Sequence, residues 1–168
     1  CAHHQKKAVF HFKCFPETYF TDRWKWHTGH QVTLGAGSRG GKVGGVGFII
    51  APHLVAKVTR CEALTERVAV LVLDLDKHMT MMILSVYAPT CAYDDSDVEE
   101  FYEQVQQVLH DCQRGAHVIV AGDFNARVGV GDEGEKRVGP YGRPGRNPRG
   151  QLLAEFAERT KLNVANTF

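Results

Sequence analysis

The residues best equipped for chemistry stand at 121–125, where Ala121-Gly122-Asp123-Phe124-Asn125 closes the short apolar run 118–121. Side chains alternate along a strand, so Asp123 and Asn125 are expected to point the same way while Phe124 turns into the packing. A carboxylate can accept a proton or orient a water, and a neighbouring carboxamide can offer N–H donors to a phosphate oxygen. Such a pair suits attack of water on a phosphate ester. Gly-Asp and Asn are also common turn residues, and on the pair alone a plain turn is the stronger reading.

The elements around the pair follow from periodicity. Strands are expected over 8–15, 31–34 and 48–50, with a glycine-rich turn over 35–47. The runs 67–75 and 79–87 flank Asp76-Lys77-His78, which is hairpin grammar. Ser96-Asp97-Val98-Glu99 has capping-box form, and Val98, Phe101, Val105, Val108, Leu109 and Cys112 then make one apolar stripe. The run 118–121 reads as a buried central strand. A long loop rich in Gly, Pro and Arg fills 126–150. A helix over 151–160 turns Leu152, Leu153, Phe156 and Ala157 inward, and a last strand is expected over 162–168. Strands with two helices between them make an α/β pattern.

Composition narrows little. With 20 basic and 19 acidic side chains the net charge is +1, so only local clustering could mark a polyanion partner. The apolar runs 68–73 and 118–121 are far too short to span a membrane. The five cysteines form no Cys-x-x-Cys pair, which favours free thiols and an intracellular setting. Gly35-Ala36-Gly37-Ser38-Arg39-Gly40 spells a dinucleotide-type motif, but a further glycine run and a strand follow instead of a helix, so it reads as a turn. His3, His4 and His11 lack ligand spacing, Asp74 and Asp76 flank a turn, and Trp24 and Trp26 read as packing residues.

Three longer segments change the weight of the pair. Leu84-Ser85-Val86-Tyr87-Ala88-Pro89-Thr90 runs into Tyr-Ala-Pro, Gly44-Gly45-Val46-Gly47-Phe48-Ile49 precedes it, and GDFNARVG occupies 122–129. In that order they resemble the endonuclease/exonuclease/phosphatase superfamily. The likeness is nearest to the apurinic-type endonuclease domains that accompany reverse transcriptase in non-LTR retrotransposons, and to the craniofacial-development-protein-like sequences derived from them. Arg146-Asn147-Pro148-Arg149-Gly150, Leu152-Leu153 and the stretch 163–168 look like the RNxxG…L…NTF segment of the same group. The resemblance covers 44–168 well and the first forty residues poorly.

The resemblance implies one partial domain over 1–168 with a DNase I-like fold, a four-layered α/β sandwich of two facing sheets with outer helices, here incomplete. It implies Mg²⁺-dependent hydrolysis of DNA phosphodiesters, with Mn²⁺ as a substitute, and a nuclear location for a protein active on DNA. Asp123 would orient or deprotonate the attacking water, and Asn125 and Tyr87 would contact the phosphate. Glu17, in Pro16-Glu17-Thr18, stands where the family's metal-binding Gln-Glu-Thr is expected, although Pro16 replaces the Gln and an exposed loop acid remains an open reading. Asn147 falls in the RNxxG segment and is a substrate-binding candidate. Arg127 belongs to the basic loop that could lie on a DNA backbone, against the plainer reading of a solvated loop.

Two departures set expectations for activity. The family's upstream Asn strand and downstream Ser-Asp-His have no counterpart in the 168 residues, so the chain reads as an excerpt and is expected not to cut by itself. A non-catalytic remnant that binds nucleic acid or protein, and a phosphatase of the same superfamily, stand as alternatives. The RNxxG and NTF segments favour the endonuclease over the phosphatase.

Overall fold

The computed structural model describes residues 23–25, 29–34, 45–111 and 115–168. The expected strand over 8–15, Glu17, the turn over 35–44 and Cys112 lie outside the described residues. The chain is mixed α/β, with two sheets and helices forming an incomplete α/β sandwich. It divides into two compact units, Cys1–Tyr87 with Cys112–Gly122, and Ala88–Asp111 with Asp123–Phe168.

In the first unit, β1 (Arg23–Lys25), β2 (Gln31–Leu34) and β3 (Gly47–Ile50) pair antiparallel in that order. A one-turn helix, α1 (Pro52–Val55), follows, with Pro52 in the first turn, where a missing N–H costs nothing. The second sheet runs β4 (Val58–Ala63), β5 (Val68–Asp76), β6 (Met79–Tyr87) and β7 (His117–Asp123). The expected hairpin is there. β5 and β6 pair antiparallel from Val68↔Val86 to Asp76↔Met79, and His78 N donates to Asp76 Oδ1 at 2.8 Å within the turn.

The two sheets share one core. Phe48 and Ile50 of β3 cluster with Cys61 of β4, Ala69, Leu71 and Leu73 of β5, and Ile83 of β6. Alternation places Val70, Leu84 and Val86 on the opposite face of the second sheet, and they are buried as well. Burial on both faces is what the near-continuous apolar runs of β5 and β6 encode.

The run 118–121 is less buried than expected among the described residues. β7 closes the order of the described sheet, and Ile119 is 39% exposed. An apolar run records a tolerance for burial; whether a strand lies at the centre or edge depends on long-range pairing. β5 and β6 hold the centre. β4 escaped the sequence reading because only Cys61 of its six residues is buried.

In the second unit, helix α2 (Asp95–His110) begins earlier than expected. Its capping box joins Asp94 and Asp97 rather than Ser96 and Glu99, with Asp94 N donating to Asp97 Oδ2 at 3.1 Å. Val98, Phe101 and Val105 are buried as the stripe implies, while Val108 and Leu109 are half-buried. Tyr102 joins them and packs on Phe156 of helix α3 (Pro148–Thr160), ring centroids 4.8 Å apart. Burial pushes the Tyr102 hydroxyl up to about 12.

Helix α3 starts three residues before the expected point because Asn147 caps it and Pro148 occupies its first turn. Leu153, Ala154, Phe156 and Ala157 are buried, and Leu152 is half-buried. The strand expected over 162–168 is instead a short 3-10 helix, Ala165–Thr167, with an isolated parallel bridge between Val164 and Val138. The Thr167 hydroxyl donates to Val164 O at 2.6 Å, a local bond that competes with strand pairing.

Candidate functional site

β7 stops at Asp123, and the backbone turns through Asn125 with φ 46°, a left-handed conformation that Asn tolerates better than most residues. Asn125 N donates to Asp123 Oδ1 at 2.8 Å, closing a turn on the Asp side chain. Strand alternation therefore does not reach Asn125. The shared facing expected from it gives way to a turn that holds the carboxylate through the backbone of its partner. Asp123 is exposed, and its Oδ2 has no hydrogen-bond partner among the described residues.

The same turn is tied to the segment after β6. Ala88 N donates to Asp123 O at 2.8 Å, and Asn125 Nδ2 donates to Ala88 O at 2.8 Å. Ala88 is 2% exposed, so these bonds are sheltered from water. The Tyr-Ala-Pro and Gly-Asp-Phe-Asn motifs thus meet at Ala88, 37 residues from Asn125 in sequence. Gly122 allows a close approach within the first unit: a Cβ there would lie 1.9 Å from Val86 O.

Tyr87 ends β6, half-buried and packed against the core shared by the two sheets. The Arg67 guanidinium lies 5.9 Å from its ring centroid, and Arg67 Nη1 donates to Tyr87 O at 3.4 Å.

Arg127 and Asn147 are brought together. Arg127 N donates to Asn147 Oδ1 at 3.0 Å, and Asn147 N donates to Arg127 O at 3.1 Å. The same Oδ1 accepts from Gly150 N at 2.8 Å, as the cap of α3. Gly150 completes the clamp, since a Cβ there would meet Arg127 O at 1.9 Å. The Arg127 side chain is left exposed on a fixed backbone.

Arg146 organises the loop, a role the sequence reading missed. It donates from Nη1 and Nη2 to the two carboxylate oxygens of Glu135, at 2.7 and 2.6 Å, and from Nε to Val128 O at 2.7 Å. That hydrogen bond holds the Glu135 carboxyl below its usual range. Thr167, 1% exposed, accepts from Gly139 N at 2.7 Å. The Asn147-Pro148 pair was a readable helix start; the ion pair had no local signal. Much of the RNxxG…NTF pattern therefore builds the loop.

With this geometry in place, comparison with known proteins gives one likeness. The chain is similar to craniofacial development protein 2. It is 28% identical to the Bos taurus protein over 123 residues, covering 73% of this chain and 20% of that protein. The Tragulus javanicus protein is 28% identical over 123 residues, covering 73% of this chain and 21% of its own length. The chain thus spans about a fifth of the length of the curated relatives it matches. No family model and no solved structure matches it. The 123 matched residues exceed either compact unit, so the likeness to craniofacial development protein 2 includes parts of both.

For a metal, the donor set is thin. No group of three His, Cys, Asp or Glu side chains that could hold an ion occurs among the described residues, and Glu17 lies outside them. Asp123 Oδ2 is one hard oxygen, fewer donors than a protein-held Mg²⁺ site needs without substrate or further carboxylates. The described residues alone do not form the site.

Proposed function

We propose that the chain is a phosphodiester-hydrolysing domain of the endonuclease/exonuclease/phosphatase type, acting on DNA as the endonucleases of non-LTR retrotransposons do. The reading is carried by Ala88, whose N–H and C=O both bond to the Asp123–Asn125 turn. That junction joins the two motifs on which the resemblance rests. The similarity to craniofacial development protein 2 over 73% of the chain supports the same kinship.

The proposed division of labour follows from the hydrogen-bond inventory. Asp123 Oδ1 is held by Asn125 N–H, which leaves Oδ2 to orient or deprotonate a water. Asn125 Nδ2 carries two hydrogens; one goes to Ala88 O and the other remains for a phosphate oxygen. Tyr87 would offer its hydroxyl to a phosphate oxygen. Arg127 would meet the DNA backbone, with Asn147 holding it in place and offering its own Nδ2 to substrate. Magnesium, or manganese in its place, would be held by Glu17 and would neutralise phosphate charge.

A second reading, a domain that binds nucleic acid without cutting it, is favoured by the engagement of Asp123, Asn125 and Asn147 in turn and cap bonds. Supercoiled plasmid separates the two. The chain is joined to segments supplying an Asn-bearing strand before it and a Ser-Asp-His after it, then incubated with Mg²⁺ or chelator. Nicking in Mg²⁺ alone is the expected result. Retained plasmid without a nick would favour the binding domain, and neither binding nor nicking would remove both readings.

A further inference from the structure

Tyr141 is the most exposed large hydrophobic side chain among the described residues, at 68%, and its backbone is among the most tightly seated. Tyr141 N donates to the carbonyl of buried Thr167 at 3.0 Å. The residues on either side allow contacts that no side chain would. A Cβ on Gly139 would lie 2.1 Å from Thr167 O, and one on Gly142 would lie 2.3 Å from Gly129 O. The loop lies flush on its neighbours and holds one aromatic ring out to solvent. Little entropy remains to be lost when the ring is covered, because a Tyr ring turns about only two side-chain torsions.

The charge on this loop names the kind of molecule that would cover the ring. Arg143 stands two residues on and is exposed, and the Arg127 guanidinium comes within 3.8 Å of the Cβ position of Gly145. Neither arginine forms an ion pair among the described residues, whereas Arg146 is bound to Glu135. An outward aromatic ring on a loop that also carries exposed guanidinium groups outside any ion pair matches a ligand made of flat rings joined by anionic links. We propose that Tyr141 stacks on an unpaired base of single-stranded DNA while Arg127 and Arg143 hold the flanking phosphates. This rests on the phosphodiester reading above and narrows it to substrates with a base freed from its stack.

The 168-residue chain is titrated into a labelled single-stranded DNA and into an abasic sugar–phosphate strand of equal length, with binding read by anisotropy. Tyr141→Ala should weaken binding to the base-bearing strand about tenfold and leave the abasic strand unchanged, as expected for the loss of one stack. Tyr141→Phe should bind both within about twofold of the unaltered chain, because the ring is retained. The slope of affinity against salt should not change in Tyr141→Ala, since no charge is removed. Equal affinity of Tyr141→Ala for the base-bearing strand would overturn the proposal, as would an equal loss on both strands. A self-associating chain whose dimer is broken by Tyr141→Ala would overturn it too. Failure of the unaltered chain to bind either strand would remove the phosphodiester reading itself, an outcome distinct from binding that ignores Tyr141.

Discussion

Asn147 Oδ1 accepts two backbone N–H groups, Gly150 N at the start of α3 and Arg127 N across the loop. Asn147→Ala leaves both donors without that acceptor and should cost about 1–2 kcal/mol in urea denaturation, the usual range for a lost cap. Asn147→Asp keeps the acceptor, adds a charge favourable at a helix start, and should keep most of that stability. Equal stability of the Ala variant would show that the cap does not hold the loop. The Arg146–Glu135 pair makes a pH prediction. The Glu135 carboxyl is held below its ordinary value of 4.5 chiefly by the Arg146 hydrogen bond. A group lowered on folding adds stability that is complete above the unfolded value and disappears as pH falls through the folded one. Glu135→Gln should therefore cost up to about 1 kcal/mol at neutral pH, the range for an ion pair that solvent still screens. The difference from the unaltered chain should begin to shrink as pH falls below 4.5 and close as Glu135 takes up its proton. A gap that stays constant down to pH 3 would contradict this role.

Gly122 bears on how elements meet. An added Cβ would stand 1.9 Å from Val86 O, so Gly122→Ala must push β7 from β6. Overpacking of this kind costs about 3 kcal/mol or more, read as a lower melting temperature; an unchanged melting temperature would mean that β7 does not sit against β6. The β5–β6 hairpin was legible because apolar runs on both sides of Asp76-Lys77-His78 state pairing and burial locally. The place of β7 at the end of the described sheet was not, because pairing partners lie far away in sequence. The final strand was misread for a different reason. Thr167 bonds to Val164 O and Gly139 N, and these side-chain bonds divert a sequence with ordinary strand character. Helix α2 was read correctly in its stripe and wrongly in its start, since Asp94 and Asp97 form the same box as Ser96 and Glu99 would.

At the scale of the whole chain, residue types at the candidate site were legible and its geometry was not. Asp123 and Asn125 stood out as a carboxylate beside an amide, yet alternation gave the wrong reason for their placement. The turn that joins them had been the plainer reading of the pair, and the tie to Ala88 crosses 37 residues. None of the described helices is long and apolar enough to cross a membrane. The proposed chemistry depends on Asp123 acting on water at a phosphodiester. Asp123→Asn keeps an oxygen for Asn125 N–H and removes the proton acceptor, so it separates the turn from the chemistry. Single-turnover nicking of plasmid in Mg²⁺, by the chain joined to the flanking segments described above, measures that step. Asp123→Asn should slow it about 100-fold or more while melting temperature and DNA affinity hold. Nicking at the unaltered rate would exclude Asp123 from the reaction and contradict the division of labour built on it.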